Sequence, residues 1–325
     1  MELENMTLGE MLSDERIAAI APDAIRDRDL TVEPVWNKTL SQLKTERFFS
    51  GEIALGIKRL YKAAHTGNWY FPLKECDGET AHLVWFPSDD KEAVNRPFIL
   101  IVPGGGFENV WNLTEGWPIA EQFNRYGYNA FVLTYHVRGD RLFERDMQDF
   151  ADALDFIAEN EKLFGVDASA YITCGFSAGG YLVCLWNTEK GYPAFGLPKP
   201  QAVFPVYPVT GMRYTVPEEE NDVISLYGCT LDEARDSAYE TTEHAEGFPP
   251  CALFLAAGDE LVDPENSKAL AASLGRLGIP CRLEIGKEGG HGFADGSDMC
   301  MAGWTKRAVD WFGSLLDKNR GQFRT

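Results

Sequence analysis

The sequence is poor in histidine and in basic residues, and no long apolar run interrupts its 325 positions. The five histidines stand at 65, 82, 136, 244 and 291, none in HxxxH spacing, so a zinc site has no ligand cluster to rest on. The seven cysteines (76, 174, 184, 229, 251, 281, 300) form no CxxC and no paired spacing. An odd, scattered set excludes a disulfide framework and reads as the reduced thiols of a cytoplasmic protein. No stretch approaches the roughly 18 apolar residues of a membrane span, and the acidic start lacks the basic-then-apolar layout of a secretory signal. Thirty Lys+Arg against fifty Asp+Glu leave a net charge of −20. A surface without excess cations cannot displace the counterions of a phosphate backbone, which excludes nucleic acid and favours neutral or cationic ligands.

What the chain does have is ordinary globular material: 45% hydrophobic and 25% charged residues, enough for a large core. Two regions differ in pattern. In residues 1–75, LGEMLSDERIAAI and LSQLKTERFFSGEIALGIKRLYKAAHTG carry apolar residues at helical spacing, although Gly51 and Gly56 interrupt the second run. This predicts a helical N-terminal extension that packs on the main domain, or serves as a lid or as the arm of a homo-oligomer. From about residue 80, short apolar runs alternate with amphipathic stretches. The runs at 82–86, 98–102, 129–135, 171–174, 202–207, 251–257 and 282–285 read as strands. Strand–helix alternation over 76–325 predicts an α/β fold with a mostly parallel sheet and helices on both faces. The irregular stretch 208–248 reads as an insertion of the kind that forms lids.

Gly175-Phe176-Ser177-Ala178-Gly179-Gly180 follows the apolar run YITC and leads into YLVCLWN. A nucleophilic serine needs such a place: a sharp strand-to-helix turn exposes its hydroxyl, and small neighbours let the chains pass closely. The helix start also offers free amides to a developing negative charge. The serine needs a base, and His291 in the glycine-rich Gly289–Phe293 loop is the histidine best placed beyond a strand end. The base in turn needs a carboxylate to fix its tautomer. Asp259 lies just past the CALFLAA run, where open parallel sheets build their sites. Its neighbour Glu260 would point elsewhere, and Asp263 before Pro264 has the pattern of a helix N-cap. Pro103-Gly104-Gly105-Gly106-Phe107, after the run FILIV, supplies backbone that a substrate can approach closely. The amides of Gly105, Gly106 and Ala178 are the candidates for an oxyanion hole.

On these residues the sequence resembles the α/β-hydrolase superfamily, and within it the acetyl-esterase and acetylxylan-esterase-like branch. The resemblance is carried by PGGGF, by EGWPIAEQFNRYGYNAFVLTYHV downstream of it, and by GFSAGGYL, GDELVDPENS and GGHGF, over about residues 80–316. Pro103 stands where hormone-sensitive-lipase-like relatives have a histidine, which favours the PGGG-type esterases. The resemblance implies catalytic roles for Ser177, Asp259 and His291 in that chain order, with no metal and no cofactor. It further implies a small-molecule ester substrate with a short acyl group, such as an acetylated sugar or oligosaccharide. Trp69, Trp111, Trp117 and Phe176 are candidate walls for such a ligand, with Phe107 near the acyl side, but aromatic side chains more often fill a core and none is assigned to the site. A serine peptidase or amidase of the same fold, and a binding protein that retains the elbow without activity, are the alternative readings.

Overall fold

A computed structural model describes residues 5–18, 20, 37–43, 52–65, 67–76, 79–214, 226, 228–235 and 237–322. Eight strands form one sheet: β1 (Tyr70–Cys76), β2 (Glu79–Phe86), β3 (Phe98–Val102), β4 (Ala130–Thr134), β5 (Tyr171–Phe176), β6 (Ala202–Val206), β7 (Cys251–Ala256) and β8 (Cys281–Gly286). Their spatial order is β1-β2-β4-β3-β5-β6-β7-β8. β2 runs antiparallel to β1 and β4, and every pairing from β4 to β8 is parallel. The α/β architecture expected from strand–helix alternation is therefore present.

The continuous apolar runs are buried on both faces. Along β3, Ile99 and Ile101 join one core cluster while Phe98, Leu100 and Val102 join the other, the period-2 consequence of a pleated strand. Helices α1 (Leu8–Leu12), α2 (Ile53–Ala64), α3 (Trp117–Arg125) and α7 (Trp304–Gln322) lie on the first side. Helices α4 (Leu142–Glu159), α5 (Ser177–Trp186) and α6 (Glu265–Arg276) lie on the second.

α1 starts on a capping box, with the Thr7 side chain accepting from the Glu10 amide and the Glu10 carboxylate accepting from the Thr7 amide. Gly56 does not break α2. A Cβ there would stand 2.7 Å from the Pro118 nitrogen, so the glycine lets α2 lie directly against the start of α3. Ile57 and Leu60 of α2 thereby share a core with Trp117 and Phe123.

The structure corrects one element. Residues 70–75, placed in the helical extension by sequence, belong to strand β1, and the last helix before it ends at Ala64. Among the described residues β1 is an edge strand paired with β2; it carries Pro72 and shifts register between Pro72 and Glu75. Such a strand lacks the buried apolar run that marks the others. Part of the insertion reading at 208–248 lies outside the described residues. What is described is tied to the core: Thr210 donates its amide to Asn266 Oδ1 at 2.9 Å, and Tyr181 donates its hydroxyl to the Tyr239 carbonyl at 3.0 Å. No described helix is long and apolar enough to cross a membrane.

Candidate active site

The site lies at the carboxyl ends of β3, β5, β6, β7 and β8. Ser177 is the first residue of α5, directly after β5, and holds φ +49°, a left-handed conformation that non-glycine residues seldom adopt. The flanking glycines are sterically required. A Cβ on Gly175 would stand 2.2 Å from the Gly179 carbonyl oxygen, and one on Gly179 would stand 2.2 Å from the Val102 carbonyl oxygen. The elbow is thus wedged against the end of β3, with the serine hydroxyl at its crest.

His291 comes from the loop after β8. Its Nε2 lies 2.8 Å from Ser177 Oγ and its Nδ1 lies 2.7 Å from Asp259 Oδ2. The other Asp259 oxygen accepts from the amides of Leu261 (3.0 Å) and Val262 (2.9 Å), which fixes the carboxylate in place. The Asp259 side chain is buried, whereas the imidazole keeps a partly exposed edge. A buried acceptor on Nδ1 leaves Nε2 to face the hydroxyl as a proton acceptor.

Glu260 is exposed and Asp263 holds the start of α6, its Oδ1 accepting from the Glu265 amide at 2.9 Å. The other histidines are occupied elsewhere or distant. His136 is buried with Nδ1 2.8 Å from Asp149 Oδ2, His65 Nδ1 meets the Tyr61 carbonyl, and His244 pairs with Glu189. His82 stands on β2.

In the Pro103–Phe107 loop, Gly105 and Gly106 hold φ +144° and +66°, and nothing lies within 4 Å of the place a Gly106 Cβ would take. That opening faces no protein atom, which leaves room for a ligand. The Gly104 amide is already used, donating to Glu115 Oε2 at 2.7 Å. Ala178, as the second residue of α5, has an amide without an intrahelical acceptor.

The candidate aromatic walls are mostly core. Trp69, Trp117 and Phe176 are buried, and Phe176 packs on Tyr207 and Trp304. Phe107 turns onto Phe143 and Tyr181 in the second core cluster. Trp111 and Phe107 are only partly buried, Trp111 against the first cluster and Phe107 against the second.

Sequence reasoning passed over Glu115 and Tyr207. Both are buried, and the Tyr207 hydroxyl donates to Glu115 Oε1 at 2.8 Å. The Tyr207 ring lies 4.8 Å from the His291 ring. The available signals were an acid in the otherwise apolar start of EGWPIAEQ and a tyrosine ending the strand run AVFPVY. Among the described residues no group of three or more His, Cys, Asp or Glu side chains is arranged to hold a metal ion.

A serine at a strand-to-helix elbow of a mostly parallel sheet, followed in the chain by an aspartate and a histidine that converge on it, defines an α/β-hydrolase. The chain belongs to the BD-FAE family, whose model matches residues 84–274. It is similar to the endo-1,4-beta-xylanase B of Butyrivibrio fibrisolvens (28% identity over 65% of this chain) and to an acetylxylan esterase of Xylanibacter ruminicola (25% over 70%). The matched regions span 35% and 46% of those two relatives, less than half of either. The crystal structure of an acetyl ester-xyloside bifunctional hydrolase from Caldicellulosiruptor lactoaceticus superposes with a TM-score of 0.63 at 26% identity, covering 76% of this chain and 96% of that one.

Proposed function

We propose that the protein is a serine carboxylester hydrolase that removes short acyl groups, acetate foremost, from small acylated sugars or oligosaccharides. The observation that carries this reading is the unbroken line from Asp259 through His291 to Ser177, at 2.7 and 2.8 Å, on a strained elbow. The acetyl-ester chemistry named for two relatives supports the choice of acyl group.

In this reading His291 Nε2 takes the Ser177 proton as Oγ attacks the ester carbonyl carbon. Asp259 holds the tautomer that leaves Nε2 free and stabilises the imidazolium as it forms. The carbonyl oxygen, now an oxyanion, is met by the amides of Gly105, Gly106 and Ala178. The tetrahedral intermediate collapses with His291 giving its proton to the departing alcohol, leaving an acyl-Ser177. Water, deprotonated by the same imidazole, then releases the acid and restores the serine. Each step uses a proton that His291 holds, and none calls for a metal.

The test is a panel of 4-nitrophenyl esters of two, four and eight carbons, acetylated xylo-oligosaccharides and aryl amides, together with labelling by a serine-reactive phosphonate. The reading expects acetate above butyrate, both far above octanoate, and a phosphonate adduct on Ser177. A maximum at eight carbons would make it a lipase, and faster amide than ester cleavage a peptidase. No label and no turnover would make it a binding protein.

A further inference from the structure

We propose that Glu115 is a positioning residue for this chemistry, a buried carboxylate that joins the oxyanion loop to the histidine loop through Tyr207. The inference rests on the esterase reading above and adds a residue to it.

Glu115 sits in a single π-helical turn, Asn112–Gly116, immediately before α3. Such turns are rare and concentrate at functional sites. Each of its oxygens has one donor: the Gly104 amide on Oε2 at 2.7 Å and the Tyr207 hydroxyl on Oε1 at 2.8 Å. The Tyr207 oxygen also accepts from the Ala294 amide at 3.1 Å, three residues beyond His291. One hydrogen-bonded chain therefore runs from the first glycine of the oxyanion loop to the loop that carries the base. Its middle lies against the imidazole, since the Tyr207 ring is 4.8 Å from that of His291.

Neither end has slack. A Cβ on Gly104 would stand 2.8 Å from Ser177 Cβ, 2.7 Å from the Phe176 carbonyl oxygen and 2.9 Å from Glu115 Oε2. The Gly104 peptide is thus pressed on the elbow and pinned by Glu115, and the peptides of Gly105 and Gly106 follow directly from it. At the other end Tyr207 and Ala294 both hold left-handed backbone, at φ +38° and +47°. Non-glycine residues stay there only when their surroundings over-determine them. The Ala294 carbonyl is held too, accepting from Trp304 Nε1 at 2.9 Å.

A purely structural role fits this residue poorly. Burying a carboxylate is expensive, and an apolar side chain of similar volume would fill the space at lower cost. No lysine or arginine pairs with Glu115 among the described residues. Burial raises its carboxyl above the ordinary range, while the Tyr207 and Gly104 donors, and then a charged His291, draw it back. The acid is held where two donors need both of its oxygens.

The experiment compares the full-length wild type with Glu115→Gln, Tyr207→Phe and the double variant on 4-nitrophenyl acetate. Kinetics are run beside urea unfolding and the rate of phosphonate labelling. Gln keeps the shape but offers one acceptor, so its amide group opposes one of the two donors. The expected result is a fall in kcat of about 10²-fold with KM within about threefold, and a parallel fall in labelling rate, as for a misplaced oxyanion hole. Tyr207→Phe keeps the ring on His291 and should lose about tenfold, and the double variant should be no worse than Glu115→Gln, because the two act as one unit. Folded Glu115→Gln with kcat within about threefold of wild type, or with its loss confined to KM, overturns the proposal. If Glu115→Gln fails to fold, Tyr207→Phe decides on the same criterion. A wild type that neither turns over esters nor takes the label overturns the esterase reading, whatever the variants do.

Discussion

Asp259 and Asp263 lie on one loop and bind different things. Asp259 Oδ2 is 2.7 Å from His291 Nδ1, whereas Asp263 Oδ1 accepts from the Glu265 amide at 2.9 Å and so begins α6. Asp259→Asn should cut kcat by about 10⁴-fold, because an amide facing Nδ1 favours the wrong tautomer. Asp263→Asn should keep near-normal kcat, since asparagine accepts the same bond. Steady-state kinetics on both variants checks the assignment, and the reverse pattern would transfer the acid's role to Asp263.

Ser177→Ala should lower kcat by about 10⁴–10⁶-fold and abolish phosphonate labelling. The exchange removes one oxygen from a partly exposed crest and leaves φ +49° in place, so thermal unfolding should barely move. Retention of a tenth of the wild-type rate would dismiss Ser177 as nucleophile.

Two glycine-to-alanine exchanges should act in opposite directions. Gly179→Ala would press its Cβ on the Val102 and Pro103 carbonyl oxygens, at 2.2 and 2.3 Å, and backbone cannot rotate aside. A loss of about 1–3 kcal/mol is expected, together with lost activity as the elbow shifts. Gly313→Ala, inside α7 with nothing within 4 Å of the new methyl, should instead gain about 0.5–1 kcal/mol. Urea midpoints measure both.

Asp146 gives stability a pH dependence. It is fully buried on α4 and neither carboxyl oxygen has a hydrogen-bond partner among the described residues, so burial raises its pKa well above the ordinary value. The nearby Asp149 adds to the rise. A raised acid means that the folded chain keeps a proton the unfolded chain releases. Its contribution therefore falls as pH climbs past the ordinary carboxyl range, by about 1.4 kcal/mol per unit until the folded group itself ionises. Asp146→Asn removes that slope. The variant should show little difference from wild type below the ordinary carboxyl range and gain on it as pH rises above that range, until the folded group itself ionises. Equal gains at all pH values would mean that Asp146 is already charged in the fold.

Much of the frame was legible in residue patterns. FILIV and AFVLT are unbroken apolar runs because their strands are covered on both faces, and the structure places β3 and β4 there. β1 escaped because Tyr70–Glu75 are half-buried or exposed at an edge and include Pro72 and the charged pair Lys74 and Glu75. Ser177, His291 and Asp259 stood out because each is set among small or turn-forming neighbours. Glu115 and Tyr207 left no such trace, since they meet across 92 positions and neither needs special residues beside it. Trp117 and Phe176 stayed open for the complementary reason: a bulky ring near a motif has the same composition whether it lines a cleft or fills a core, and here both fill the core.

The separation of the reacting groups along the chain bears on how the protein reaches its native state. Ser177 and His291 are 114 positions apart, and β6, β7 and β8 with their crossovers lie between them. A refolding chain that had formed β3, β4 and β5 but not β8 would hold the Ser177 elbow without the imidazole proposed as its base. Docking of β8 and the glycine loop behind it brings the imidazole to the elbow. Recovery of turnover after dilution from denaturant would therefore report the arrival of β8 and its loop, and comparison with the circular-dichroism signal would show whether that step trails the rest of the fold.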